Sequence, residues 1–230
     1  ARALGARNTE RANSLVFHAI AIGMLFAFLF TVGILLGGEW LFTHMGGQGA
    51  SLEGALTYSY WAFGGAILVW LFNCLSSIIR GTGNMSLPAK VTVIGTLILI
   101  PLSPLLIFGF GPIPALGIAG GALALLLFYL GGSIALLSYL LSSKSLLKPN
   151  FKKVHFHKDQ FWDILKIGLV GTISTVATNL AIGLTTAFVG EFGPAAIAGY
   201  GTGSRLEYVL VPLVFGFGAP MIAMVGTCVG

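Results

Sequence analysis

Long apolar stretches separated by short polar connections dominate this sequence. Residues 15–36 contain one ionisable side chain, His18, and apolar runs of similar length recur at 55–79, 89–108, 116–141, 164–189 and 197–229. A helix needs about 20 predominantly apolar residues to cross the hydrocarbon core of a bilayer. The pattern therefore predicts an all-α integral membrane protein with about six transmembrane helices.

The low content of charged residues excludes an ordinary water-soluble domain. Charged residues make up 8% of the chain and hydrophobic residues 56%, whereas soluble domains contain about 25% charged residues. The net charge of +5 indicates contact with anionic lipid headgroups, not nucleic acid. Cys74 and Cys228 lie in apolar runs without partner ligands, which predicts neither a disulfide framework nor a metal site.

One long polar segment divides the chain. Residues 142–163 are rich in lysine and separate a region with four predicted spans, residues 1–141, from a region with two, residues 164–230. We interpret this segment as a basic, cytoplasmic linker between two lobes. No signal peptide is visible, and the chain stops directly after an apolar run, so we expect it to be part of a longer protein.

The positions of lysine and arginine predict the orientation. Arg2, Arg7 and Arg11 precede the first span, Arg80 and Lys90 flank the second connection, and lysines fill the fourth. The first, third and fifth connections contain neither lysine nor arginine. Because cytoplasmic loops carry an excess of basic residues, both ends of the chain should be cytoplasmic.

Several short segments resemble one transporter family. They are residues 3–7 (ALGAR), 80–84 (RGTGN) followed by Pro88, 106–109 (LIFG), 115–122 (ALGIAGGA), 192–201 (FGPAAIAGYG) and 204–207 (SRLE). In this order, and over essentially the whole chain, they resemble the multidrug and toxic compound extrusion (MATE) family. On that resemblance the six spans correspond to helices three to eight of a two-lobed, twelve-helix transporter.

The resemblance implies a secondary active transporter and no enzyme. It implies multidrug efflux by antiport of organic cations or amphipathic compounds against sodium or protons, with alternating access between the lobes. It further implies xenobiotic substrates, no cofactor, no nucleic-acid partner, a monomer, and a multi-pass location in a bacterial or archaeal inner membrane. Leu99 and Ser103 occupy positions where many relatives have Asn and Asp, and a Glu of some relatives aligns near Thr178.

Polar residues within the spans are the candidates for the substrate or ion pathway, because such residues are costly in lipid. His18, Arg205 and Glu207 are the ionisable residues inside or near a span. Arg205 and Glu207 point about 200° apart on a regular helix, so Glu207 is either a pathway residue or part of an ion pair at the helix end. The neutral candidates are Asn73, Thr175, Thr178 and Asn179. Their side chains either line a water-filled cavity or make hydrogen bonds within their own helix or to a neighbouring helix.

Two rival functions stay open. A lipid-linked oligosaccharide flippase of related architecture should have a more cationic cavity, to hold a pyrophosphate headgroup. A membrane-embedded enzyme should gather several polar catalytic groups near one interface. Trp61, Trp70 and Phe72 are candidates for stacking on a cationic drug, although lipid-facing aromatic residues are equally compatible with their positions.

The predicted orientation is testable with reporter fusions. Alkaline phosphatase fused after Gln48 should be active, because its disulfides form only in the periplasm, whereas the same enzyme fused after Gly83 should be inactive. Green fluorescent protein at the two sites should give the opposite pattern. An active phosphatase after Gly83 would show that the orientation is wrong.

Overall fold

A computed structural model describes residues 1–44, 49–111, 114–143, 145–147, 157–190, 192, 194–208 and 210–230. Within these ranges the regular structure is helical, as the apolar runs predict, because lipid offers no partner for an unpaired backbone group. The helices are α1 (Arg2–Gly5), α2 (Thr9–His44), α3 (Gly49–Gly64), α4 (Ala66–Gly81), α5 (Ser86–Phe108), α6 (Ile118–Leu141), α7 (Lys158–Gly190), α8 (Pro194–Glu207) and α9 (Leu210–Val229).

The number of membrane crossings agrees with the sequence prediction. Five helical segments of the described chain are long and apolar enough to cross a bilayer, and a bent pair of shorter helices makes six. That pair is α3 and α4, which meet at an angle of 46°. The span expected over residues 55–79 thus corresponds to two helices with a bend between them. The helix breaks at Gly64 and Gly65, and glycine is a common cause of such kinks.

Helices α2 to α6 form a packed bundle whose core lies between α2, α4 and α6. Phe72, Leu75 and Ile79 of α4 are buried against Leu136 and Leu140 of α6. The rings of Phe72 and Tyr129 meet edge to face, with centroids 5.5 Å apart. Close approach requires a residue without a side chain, because a Cβ on Gly132 would lie 2.6 Å from the Phe72 ring.

The turn between α4 and α5 explains the RGTGN segment. Gly83 has a φ of +91°, a conformation that glycine adopts readily. The side-chain oxygen of Asn84 accepts a hydrogen bond from Leu87 N–H at 3.2 Å. The Asn84 amide donates to the Tyr139 hydroxyl at 3.0 Å. The turn thus begins α5 and ties it to the end of α6.

Helices α5 and α6 form a tight antiparallel pair. The backbone N–H groups of Leu116 and Gly117 donate to the carbonyls of Leu106 and Ile107 at 3.0 and 3.1 Å. This brings the first turn of α6 against the backbone at the end of α5. A Cβ on Gly120 would lie 2.6 Å from the Leu106 carbonyl carbon, so only glycine fits there without displacing the main chain.

Helices α7 to α9 pack less extensively against this bundle. Among the described residues, α7 contacts α2 and α8, whereas α9 contacts α1, α4 and α8. Residues 171–180 of α7 are exposed throughout. Helix α7 begins at Lys158, so the end of the segment expected as a linker is helical. Helix α8 ends at Glu207, and α9 contains Pro212 in its first turn and Pro220 in its interior. The kinks expected at these prolines stay predictions.

Gly120→Ala should destabilise the α5–α6 pair, and Gly121→Ala is its matched control. The methyl group at 120 meets backbone atoms that cannot rotate away, whereas at 121 the nearest atom is 3.6 Å away, on the Ile107 side chain. Overpacking of this kind costs about 1–3 kcal/mol. Thermal unfolding in detergent should place Gly120→Ala below the wild type and Gly121→Ala at or above it. Equal stability of the two variants would contradict the close packing.

Candidate functional site: a cavity beside α2, α4 and α7

A cavity of about 920 Å³ lies where the N-terminal bundle meets α7 and α9. Its walls come from the first half of α2, the second half of α4, α1, the start of α7 and the end of α9. Ligand pockets for small molecules fall in the range of about 300–1,000 Å³. The cavity therefore has the size of a small-molecule site and lies between the two regions that the linker separates.

One face of α4 forms the most regular wall. Trp70, Asn73, Cys74, Ser77, Ile78 and Gly81 line the cavity, and their spacing of three and four residues places them on one side of a helix. The Trp70 ring stacks on Phe26 of α2 with centroids 6.2 Å apart and planes 17° apart. The Asn73 amide donates to the Val69 carbonyl at 2.8 Å, which leaves its side-chain oxygen available on the cavity face.

Among the described residues, the charged side chains of the lining are two arginines and one carboxylate. Arg2 of α1 and Arg11 of α2 share the wall with Asp163 of α7. These three residues lie before the predicted spans, so they are not among the ionisable candidates within the spans. The signal in the sequence is that Arg11, Leu15 and Ala19 follow at intervals of four, which places Arg11 on the apolar face that lines the cavity.

The neutral candidates of α7 do not reach this cavity. Thr175 and Thr178 donate to the carbonyls of Gly171 and Ser174, both at 3.0 Å, and Asn179 donates to the Thr175 carbonyl at 2.8 Å. All three side chains are exposed. The structure thus separates them from Asn73 and Trp70, two sequence candidates that line the cavity.

Arg205 and Glu207 lie in the last turn of α8. The Arg205 side chain is exposed and is not part of the cavity lining. The side chain of Glu207 lies outside the described part of the structure, so its proposed role as a pathway residue stays a prediction.

His18 occupies a different environment from the other ionisable residues. It is fully buried, at 0% exposure. Its Nδ1 is 2.8 Å from the Ser14 carbonyl, and its Nε2 accepts a hydrogen bond from the backbone N–H of His157 at 2.9 Å. The Ser14 hydroxyl donates to Gln160 Oε1 at 2.8 Å. These polar contacts join α2 to the start of α7, beside the cavity.

Comparison with known proteins shows what the chain is similar to. The MatE family model matches residues 1–105. A FAD transporter of Shewanella oneidensis is 29% identical over 234 residues, which cover 100% of this chain and 51% of that protein. The probable multidrug resistance protein YoeA of Bacillus subtilis is 28% identical over 224 residues, or 93% of this chain and 47% of the relative. The chain is thus similar to MATE transporters, as the short segments of its sequence indicate.

Solved MATE structures share the fold. A MATE crystal structure in complex with MaD5 superimposes with a TM-score of 0.87 at 24% identity, over 98% of this chain and 51% of that one. The chain spans about half the length of the relatives it matches. Its fold is thus that of part of a MATE transporter, which confirms the predicted all-α membrane class.

The names of these relatives, a FAD transporter and a probable multidrug resistance protein, agree with the expectation of a transporter. The apolar helices of this chain agree with the expected multi-pass membrane location.

Proposed function

We propose that the protein containing this chain is a multidrug exporter, in which organic cations or amphipathic compounds leave the cell in exchange for sodium or protons. The observation that carries this proposal is the cavity between the N-terminal bundle and α7, with its largely apolar wall and one aromatic ring, Trp70. Apolar bulk accepts many substrate shapes, and an aromatic face attracts cations.

The arrangement of the helices supports alternating access between two lobes. In this proposal residues 1–141 belong to the N-terminal lobe, residues 142–163 form the cytoplasmic linker, and residues 164–230 begin the C-terminal lobe. The bundle of α2 to α6 is internally well packed, whereas α7 contacts it through α2 alone among the described elements. A small contact of this kind can open and close without disturbing the core of either part.

A second candidate is the export of a pyrophosphate-containing compound. One relative is named a FAD transporter, and two arginines against one carboxylate line the cavity here. A guanidinium group can donate two parallel hydrogen bonds to the oxygens of a phosphate. Trp70 would stack on a flavin or adenine ring. A lipid-linked oligosaccharide carries the same pyrophosphate group, so the flippase reading shares this support.

Efflux from inverted vesicles of a pump-deficient strain tests the proposal on the complete gene product. Ethidium transport should follow a sodium or a proton gradient imposed separately, and the effective gradient names the coupling ion. FAD transport without ethidium transport would favour the second candidate, and absence of both would favour the lipid flippase.

In the same assay, full ethidium efflux by Glu207→Gln would remove Glu207 from the pathway.

Trp70→Leu should weaken ethidium binding about fivefold to thirtyfold, because a cation on an aromatic face contributes about 1–2 kcal/mol when desolvated. Leucine keeps apolar bulk beside Phe26, so the bundle should still fold. Trp40→Leu is the matched control, since Trp40 lies near the far end of α2 and is 67% exposed. Equilibrium titration of dye fluorescence measures both. Equal losses in the two variants would contradict a site at Trp70.

A further inference from the structure

The contact between α2 and the start of α7 fixes both nitrogens of a buried imidazole. The Ser14 carbonyl can only accept a hydrogen bond, so the proton of His18 resides on Nδ1. The His157 backbone N–H can only donate, so Nε2 must present its lone pair. The structure therefore contains His18 in its neutral form with a single defined tautomer.

A proton added to His18 has only one place to bind, and that place is occupied. Protonation at Nε2 would set its new N–H against the N–H of His157, so the hydrogen bond between them would be lost. In this step a hydronium ion gives one proton to Nε2, so that one O–H bond breaks, one N–H bond forms and a water molecule leaves. A buried imidazolium facing a backbone donor also carries a desolvation cost, and both effects separate α7 from α2.

This contact controls a wall of the cavity. His157 immediately precedes α7, and Asp163, Ile164 and Ile167 in the next two turns line the cavity. The first turns of α7 are also held by the hydrogen bond from Ser14 to Gln160. Loss of the bond at His18 would therefore free the wall that α7 contributes.

We propose that His18, Ser14, His157 and Gln160 form a proton-released latch, which holds the start of α7 against α2 and releases it, with its part of the cavity wall, when His18 binds a proton. The proposal rests on the proposed transport function, and on the predicted orientation it makes the device a sensor of cytoplasmic pH. Imidazole is the side chain suited to this role, since its charge changes within the physiological pH range.

Other titratable and charged groups lie on the elements that pack against this part of α2. The His157 ring stacks near His18, with centroids 6.3 Å apart. Helix α7 contributes Lys158, Asp159, Asp163 and Lys166, and α2 contributes Glu10, Arg11 and Glu39. Arg2 lies on α1, Arg7 lies between α1 and α2, Cys74 and Arg80 lie on α4, and Glu53 lies on α3.

Hydrogen exchange without substrate tests the latch directly. In the complete protein in nanodiscs, peptides covering residues 157–163 should exchange about tenfold faster at pH 5.5 than at pH 8, after correction for the intrinsic pH dependence of exchange. In His18→Gln, the side-chain carbonyl can still accept from His157 N–H but cannot bind a proton at neutral pH. This variant should show no such step.

His157→Gln is the matched control, because the hydrogen bond uses the backbone of residue 157 and not its ring. It should keep the pH-dependent step. A step that persists in His18→Gln, or that disappears in His157→Gln, would overturn the assignment to His18. Absence of the step in the wild type would overturn the latch even if the variants fail to fold.

Dye efflux separates the latch from the transport function. We expect wild-type efflux to depend on pH, His18→Gln to remove this dependence and His157→Gln to retain it. This result would support both the latch and the proposed transport function. Absence of any efflux, with the exchange step present, would reject the proposed function and leave the latch. Efflux with identical pH profiles in the wild type and His18→Gln would reject the latch as a control of transport.

Discussion

The absence of hydrogen-bond partners in the lipid core is the constraint on which this structure depends. Each backbone N–H and carbonyl at membrane depth must bond within the protein, and so the spans are helices. The same constraint acts on side chains. Thr172, Thr175, Thr178, Thr185 and Thr186 each donate to the carbonyl four residues earlier on α7. These five hydroxyl groups can therefore lie in lipid with their protons bonded within the helix.

In lipid, close packing between helices provides the association free energy that the hydrophobic effect provides in water. Lipid tails are as apolar as leucine, so association depends on packing between surfaces that fit. Gly120 against the Leu106 backbone and Gly132 against the Phe72 ring show how the bundle achieves this. Between α2 and α7 the hydrogen bonds at His18 and Ser14 contribute to the contact. The two regions of the chain are thus joined by different interactions from those within the bundle.

The apolar runs predicted the spans because hydrocarbon thickness sets their length, but they could not predict the bend at Gly65. Mean apolarity is the same for a straight helix and a kinked one. For the site, Asn73 was found because it is a polar residue within an apolar run, and the structure places it on the cavity wall. The α7 candidates were selected on polarity, which does not distinguish a hydroxyl that faces a cavity from one that bonds its own helix. The contact of His18 with His157 joins residues 139 positions apart, and nothing local in the sequence specifies it.

The hydrogen bonds of His18 and Ser14 to the start of α7 are weak enough to break and form again during a conformational change. A hydrogen bond within a protein contributes about 0.5–1.5 kcal/mol net, so the pair formed by His18 and Ser14 contributes about 1–3 kcal/mol if the two add. Coupling of this size shifts an equilibrium by about fivefold to 150-fold. A much stronger contact would hold one state permanently, and a much weaker one would not bias the lobes. Both hydrogen bonds join the bundle to α7, and so their loss would change the population of open and closed cavities while leaving the core at Phe72 and Leu136 intact.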